Sequence, residues 1–345
     1  MSRPLSRITL QDVAREAGVS LATADRVLNG RTGVRGVTAE KVQAAVARLG
    51  YRPNLAAARL ARGETYRFCF VLPVGSNVFM RQLAEQVAST ADWVAAQNAY
   101  IDTLRVDVFA PETLAAALEG LIGHYDGVAV VALDHPQVRA AIDDLVDAGI
   151  AVVTLVSDVP SSQRFHYVGI DNIAAGRTAA TLLGRFAGGR TGAVGLILGT
   201  PALRDHAERQ FGFMQVMAGE YPALHVLPPV QSLDEDDRAH AVTEAMLRAH
   251  PDLVGLYNVG AGNRGVATAI TGTNRGSDLV FVGHDLTDDT RRFLLRGVMD
   301  AVINQDAGHQ SRSAARVLLA RCSGEPLMTE QERIRIDIFV RDNLP

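Results

Sequence analysis

From residue 66 onward, short apolar runs rich in β-branched residues alternate with amphipathic helical stretches, and few folds can absorb that alternation. RFCFVLPV, YDGVAVVAL, IAVVTLVSD, TGAVGLILG, LVGLYNVG and DLVFVGHD each read as a strand, separated by helical segments such as FMRQLAEQVASTADWVAAQ. Strands that are apolar along their whole length are buried on both faces, which calls for parallel sheets covered by helices. Two such blocks, about 66–167 and 168–288, predict two doubly wound α/β lobes in a body spanning 66–345. Of the remainder, 289–328 is expected to complete the first lobe. IRIDIFV at 334–340, within 329–345, is expected to add a strand to the second.

The first 62 residues follow a helical period instead. Thr9 and Asp12 form a capping box, and Leu10, Val13, Ala14 and Ala17 then recur at helical spacing. Gly18 suits the left-handed stop of that helix, and Ser20 can cap a second one. In the second helix Ala24, Val27 and Leu28 share one face; Leu21, Ala22, Asp25, Arg26 and Asn29 share the other. A third helix, capped near Thr38, contributes Val42, Ala45, Val46 and Leu49 to a three-helix core. The expected organisation is therefore an α helix-turn-helix head over 1–50, a hinge and linker over 51–65, and the two-lobed body.

Charge divides the chain at the same place. Residues 1–62 hold 11 Lys and Arg against 4 Asp and Glu, so a head of formal charge +7 precedes a body of −11 in a chain whose total is −4. A basic head suits a polyanion, and an acidic body has no reason to touch one. Cys69 and Cys322 lie among apolar or small residues and read as core thiols rather than a disulfide or metal pair. The N-terminus lacks the apolar core of a secretion signal, and no run approaches a membrane span, so the chain is expected in the cytoplasm.

The run ITLQDVAREAGVSLATADRVLNGRTGVRGVTAEKVQAAVARLGYRPNLAAARLARG resembles the head of the LacI/GalR (lactose-repressor) family, without a gap from helix-turn-helix to hinge. The resemblance implies a transcription regulator, a repressor, that binds double-stranded operator DNA as a homodimer on a pseudo-palindrome. Leu21, Ala22 and Arg26 would meet base edges, Arg26 by bidentate contact to guanine. Thr23 and Asn29 would touch phosphates. Asp25 stands where the family commonly has serine; it either orients Arg26 or Arg15, or accepts from a cytosine amino group. Asn54 would begin a hinge helix whose Leu60 wedges into the minor groove, with Arg59 replacing the arginine that Ala58 lacks. The chain has no heptad tail after Arg341, so a dimer rather than a tetramer is expected.

The same resemblance implies a body like that of the periplasmic sugar-binding proteins (type I), with a small sugar-like effector between the lobes. In open parallel sheets ligands lie beyond the carboxyl ends of strands. Ser76, Asn77 and Phe79 follow the first strand; Phe79 either stacks on a sugar ring or packs in the core. Asp134, Asp158 and Asp171 with Asn172 follow later runs, and Arg209, Asp285 and Gln305 match family ligand positions. Asn258 and Asn263 flank glycines where relatives have an Asn-Asp pair. Carboxylates, amides and an arginine suit polyol recognition, although strand-end Asp and Asn equally serve as helix caps. GAGNRG fits no nucleotide loop. No hydrolase elbow, zinc helix or cysteine cluster occurs, so catalysis, a cofactor and a metal are not expected. Paired aspartates could serve a glycosidase, but that leaves the basic head without a role.

Overall fold

Three short helices make the head: α1 (Leu10–Ala17), α2 (Leu21–Leu28) and α3 (Gly36–Leu49). The structure, a computed structural model, describes residues 8–28, 32–51, 65–75, 77–273, 275 and 278–345. The capping box forms, with the Thr9 hydroxyl accepting from the Asp12 N–H and the Asp12 carboxylate accepting from the Thr9 N–H at 2.9 Å. Gly18 adopts φ +65°, and Ser20 Oγ accepts from the Thr23 N–H at 3.1 Å. Val13, Ala14, Ala24, Val42 and Ala45 form the core, one set from each helix. Helix α3 begins at Gly36, earlier than the expected cap at Thr38. The Arg35 carbonyl already accepts from Thr38 and Ala39, so the backbone starts the helix without a side-chain cap.

Residues 66–345 form a second compact unit. Its first sheet contains β1 (Tyr66–Pro73), β2 (Ala99–Val106), β3 (Gly127–Val130), β4 (Ala151–Leu155) and β5 (His166–Val168), in the parallel order β2-β1-β3-β4-β5. Successive residues of β1 point to opposite faces: Phe68, Phe70 and Leu72 join one apolar cluster, Cys69 and Val71 another. Burial on both faces is the reason the run carries no polar alternation. Helix α4 (Val78–Ala95) covers one face, and α5 (Pro111–Glu119) with α6 (Pro136–Asp147) covers the other.

The second sheet repeats the winding. It is built from β6 (Gly192–Leu198), β7 (Leu224–Val226), β8 (Val230–Gln231), β9 (Leu253–Asn258), β10 (Val280–His284), β11 (Ala301–Gln305) and β12 (Ile336–Phe339), in the order β12-β11-β10-β9-β6-β7, with β8 on β6. Helices α7 (Asn172–Phe186), α8 (Arg204–Glu220), α9 (Asp236–Ala249), α10 (Asn263–Thr271) and α11 (Asp288–Leu295) cover it. The segment α12 (Ala307–Ser323) returns to pack on α4 and β4, and α13 (Thr329–Glu332) precedes β12.

That path corrects the expectation that 289–328 belongs to the first lobe. Strand β11 pairs in parallel with β10, Val282 opposite Ala301, so residues up to Gln305 stay in the second lobe and the chain crosses only at Asp306. The expected last strand does pair there, antiparallel, with Ile338 opposite Ile303. Cys69 is buried in β1, where burial pushes its thiol up to about 11. Cys322 departs from the core expectation: it is half-buried near the end of α12, its Sγ 3.5 Å from the Asp126 carbonyl.

Candidate functional site

The sheet orders β2-β1-β3-β4-β5 and β7-β6-β9-β10-β11 place a switch point between β1 and β3 in one lobe and between β6 and β9 in the other. The loops leaving those strands face each other across a cavity of about 480 Å³. Val74, Val131 and Leu133 line it from the first lobe, and Thr200, Leu203 and Leu233 from the second. A narrower crevice, about 40 Å³, shares Asn77 and Asp234 with the cavity and reaches Phe79, His284 and Asp285. A cleft of this total size accommodates a small ligand.

Asn77 caps α4 by accepting from the Met80 N–H at 3.2 Å, while its amide donates to Asp234 across the cleft at 3.3 Å. Asp234 also accepts from the Ala261 N–H at 3.1 Å; it and Leu233 both hold left-handed backbone, φ +61° and +51°. Phe79 is 4% exposed and belongs to the core cluster, so its ring serves packing while bordering the crevice. Asp134 accepts from Arg204 of the opposite lobe at 3.3 Å and stands 3.6 Å from Arg139.

Arg209 is 1% exposed, and its guanidinium organises the second lobe from behind the cleft wall. Nε donates to Asn172 Oδ1 at 2.8 Å, Nη1 to the Val259 carbonyl at 2.9 Å, and Nη2 stands 3.8 Å from Asp205. The tight contact of α7 with α8 makes this possible. A Cβ on Gly176 would meet the Arg209 carbonyl at 1.9 Å, so only glycine admits the approach. Asn258, fully buried, donates to the Gly260 and Ala261 carbonyls and to Asn263 Oδ1, and so folds the loop that opens α10. The same loop gives its Ala261 N–H to Asp234, so GAGNRG is closed by a carboxylate rather than open to a phosphate.

Asp285 follows β10 with φ +65° and is 8% exposed. Burial pushes its carboxyl up to about 6; Arg209 and the Gln305 amide oppose that, and the Asp234 and Asp205 carboxylates reinforce it. Gln305 donates to Asp285 at 3.2 Å and accepts from Gln310 at 3.1 Å. Beside them Tyr257 and His284, both fully buried, share a 2.7 Å hydrogen bond. Burial holds the His284 imidazole well below its ordinary range and lifts the Tyr257 phenol.

Of the expected effector residues, Asn77, Phe79 and Asp285 line the cleft; Asp134, Arg209, Asn258 and Gln305 stand around it without lining it, and Asp158 and Asp171 are held elsewhere. Asp158 is held inside the first lobe by Arg164, whose Nη2 is 2.5 Å from Oδ2, and by Thr154 at 2.6 Å. Asp171 is exposed and caps α7 by accepting from Ala174 N–H at 2.9 Å. Its neighbour Asn172 is the one turned inward, to Arg209 and the Tyr167 hydroxyl. Sequence reading missed Asp234, Arg204 and the Tyr257–His284 pair. Asp234 follows a strand of two residues, too short to mark the loop after it as a strand end.

On the head, Leu21, Ala22 and Arg26 are exposed on α2, while Thr23 and Asp25 are half-buried, the Thr23 hydroxyl 2.8 Å from that of Ser20. Arg15 pairs with Asp12 at 3.2 Å. Asn29, Asn54, Arg59, Leu60 and Ser76 lie outside the described residues. Among the described residues, no helix is long and apolar enough to cross a membrane, and no cluster of three or more His, Cys, Asp or Glu is placed to hold a metal.

Residues 68–326 match the periplasmic binding protein domain, and residues 9–54 match the bacterial regulatory proteins of the lacI family. The chain belongs to the periplasmic binding protein domain family, behind a lacI-family head. The chain is 44% identical over 84 residues to catabolite control protein A of Priestia megaterium, and 43% over 84 residues to that of Staphylococcus aureus. The first alignment covers 24% of this chain and 25% of that protein, so the chain spans about a quarter of the length of the curated relatives it matches. The body resembles a glucose-galactose binding protein, GanP, of Geobacillus stearothermophilus (TM-score 0.73, 21% identity, 82% of this chain and 99% of that one). It also resembles a solute-binding protein of Burkholderia graminis solved with D-arabinose (0.73, 25%, 81% and 96%). A putative LacI transcriptional regulator of Bacteroides fragilis shares the fold as well (0.70, 19%, 81% and 98%).

Proposed function

We propose that this lacI-family chain is a DNA-binding transcription regulator, a repressor, whose hold on its operator is set by a small sugar-like effector in the cleft. The observation that carries the reading is the union, in one chain, of a lacI-family head with a body whose two sheets turn their ligand-binding ends toward one cleft. Similarity to catabolite control protein A supports the regulatory half, and similarity to sugar-binding proteins supports the effector half.

On the head, the exposed side chains of Leu21, Ala22 and Arg26 supply base contacts, Arg26 to guanine; Thr23 and Asn29 hold phosphates, and Asp25 orients Arg26. Asn54, Arg59 and Leu60 act in the hinge, Leu60 as a minor-groove wedge. In the cleft, Asn77 and Asp285 face the ligand, while Asp134, Arg209, Asn258 and Gln305 hold the wall. Asp158 and Asp171 fit structural roles better, because both are already engaged locally.

Ligand binding changes lobe closure, and through a homodimer on a pseudo-palindrome it changes the spacing of the two heads. The site binds and does not turn over its ligand, and the protein works in the cytoplasm, where its DNA is. The test is selection of operators from a random duplex pool by the full-length protein, followed by titration of neutral sugars. A selected pseudo-palindrome whose affinity shifts with one sugar is expected. No preference over bulk competitor, or conversion of the sugar, overturns the reading.

A further inference from the structure

The two compartments of the cleft differ in character. The larger is walled by aliphatic and aromatic side chains such as Val108, Phe109 and Leu203, surfaces suited to the face of a ring. The 40 Å³ crevice has room for one small group, and four carboxylates, those of Asp234, Asp236, Asp285 and Asp289, line it.

Matching each carboxylate with its nearest cation separates two of them from the rest. Asp236 is paired with Arg264 at 2.6 Å and Asp289 with Arg292 at 2.5 Å. Asp205, further back, is served by Arg209 at 3.8 Å. Asp234 and Asp285 have no cation within 4 Å among the described residues; their hydrogen bonds come from neutral donors, Asn77 and Ala261 N–H for one and Gln305 for the other. Gln305 serves Oδ1 of Asp285; Oδ2 receives no hydrogen bond among the described residues, although the residue is more than nine-tenths buried. On the same wall, His284 Nδ1 is buried without a partner. Two unmatched carboxylates around a space for one small group are a costly arrangement for the empty protein, and a cation placed there would neutralise it.

We propose that the cleft takes a ligand bearing a protonated primary amine, such as an amino sugar, with its ammonium seated in the crevice between Asp234 and Asp285. The proposal rests on the reading of the cleft as the effector site and narrows the ligand class. An ammonium brings three donors and no acceptor, which suits carboxylate oxygens with unused lone pairs. The ring then lies in the larger compartment. A phosphorylated or acidic sugar would meet the same two carboxylates with like charge, and Arg264, the arginine on these walls, is already committed to Asp236. The groups facing Asp285 are Asp205, Arg209, Asp234, His284 and Gln305; its upward-shifted titration means that protons compete with the amine below about pH 6.

The test uses the full-length protein and calorimetry with D-glucosamine, D-galactosamine and D-mannosamine, each beside its parent hexose and its N-acetyl derivative. One of the amines is expected to bind about tenfold or more tightly than both its partners, and to weaken as pH falls below about 6. Asp285→Asn, or Asp234→Asn should the first fail to fold, should bring the amine to within a few-fold of its parent sugar, the amine losing about tenfold more affinity than the parent does; an equal loss for both would overturn the ammonium assignment. Equal or tighter binding of a parent hexose, an N-acetyl sugar or glucose 6-phosphate overturns the amine assignment and leaves the effector cleft standing. Silence from these nine sugars and glucose 6-phosphate alike overturns the assignment too. The cleft reading falls with it only if a wider panel of neutral sugars also leaves operator affinity unchanged.

Discussion

Arg204 of the second lobe reaches across the cleft to Asp134 of the first, Nη1 standing 3.3 Å from Oδ2. Together with the Asn77 amide on Asp234, this is a polar link between loops that leave facing strands, so each link is made only while the lobes are close. Its partners are shared, Arg204 with Glu208 and Asp134 with Arg139, which lets both ends keep a counter-charge when the cleft opens.

Arg204→Ala should therefore act on closure rather than on folding. Both side chains are part-exposed, so the pair contributes at most about 1 kcal/mol. Effector affinity by calorimetry is expected to fall a few-fold with the melting temperature unchanged. A large loss of melting temperature would show that the pair is a folding element instead.

Asn172→Ala should be far more damaging. It leaves Arg209 Nε without its acceptor in a fully buried site, a loss of about 3 kcal/mol or more, because one partner of a buried charged contact has been removed. Thermal unfolding is the measurement, and a drop no larger than that of an exposed helix substitution would refute the role given to Arg209.

Gly176→Ala tests the helix approach behind the same arginine. The added methyl would overlap the Arg209 carbonyl, so α7 and α8 must separate, at about 1–3 kcal/mol. Stability and effector affinity should fall together. Loss of one without the other would mean that the helix contact does not set the arginine's position.

Asp285 carries a pH signature. Its carboxyl is raised from 3.8 to about 6 in the fold, chiefly by burial, so the folded chain holds that proton more tightly than the unfolded one. The stability associated with it is present below about pH 4 and is lost as pH rises through about 6. Asp285→Asn should accordingly raise the melting temperature of the ligand-free protein at about pH 8 and have little effect at about pH 4. An equal gain at both pH values would contradict the assignment of burial as the cause.

Arg26→Ala on the exposed face of α2 should cost about 1–3 kcal/mol of operator affinity and relax sequence preference at one base pair. Asp25→Ser, by contrast, should leave the selected sequence unchanged if the carboxylate orients Arg26. Selection from a random pool reads both, and a new preferred base with Asp25→Ser would make the aspartate a base reader.

Local chemistry already specified much of this. The Thr9–Asp12 box, the Gly18 stop and the Ser20 cap each need only neighbours within a few residues, and the doubly buried strands β1, β3, β4, β6, β9 and β10 announce themselves as unbroken apolar runs. Strand β2 did not, because it lies at a sheet edge and is buried only at its two ends, and β7 and β8 are only three and two residues long. Residues remote in the chain settled the rest. Whether 289–305 belongs to one lobe or the other depends on the pairing of β11 with β10, since its composition suits either sheet equally. Likewise, Asp158 and Asp285 look alike as strand-end carboxylates. One found Arg164 six residues away and became structural; the other was buried with Gln305 and near Asp234, with no cation within 4 Å among the described residues, because charge balance depends on which segments the fold brings within a few ångströms.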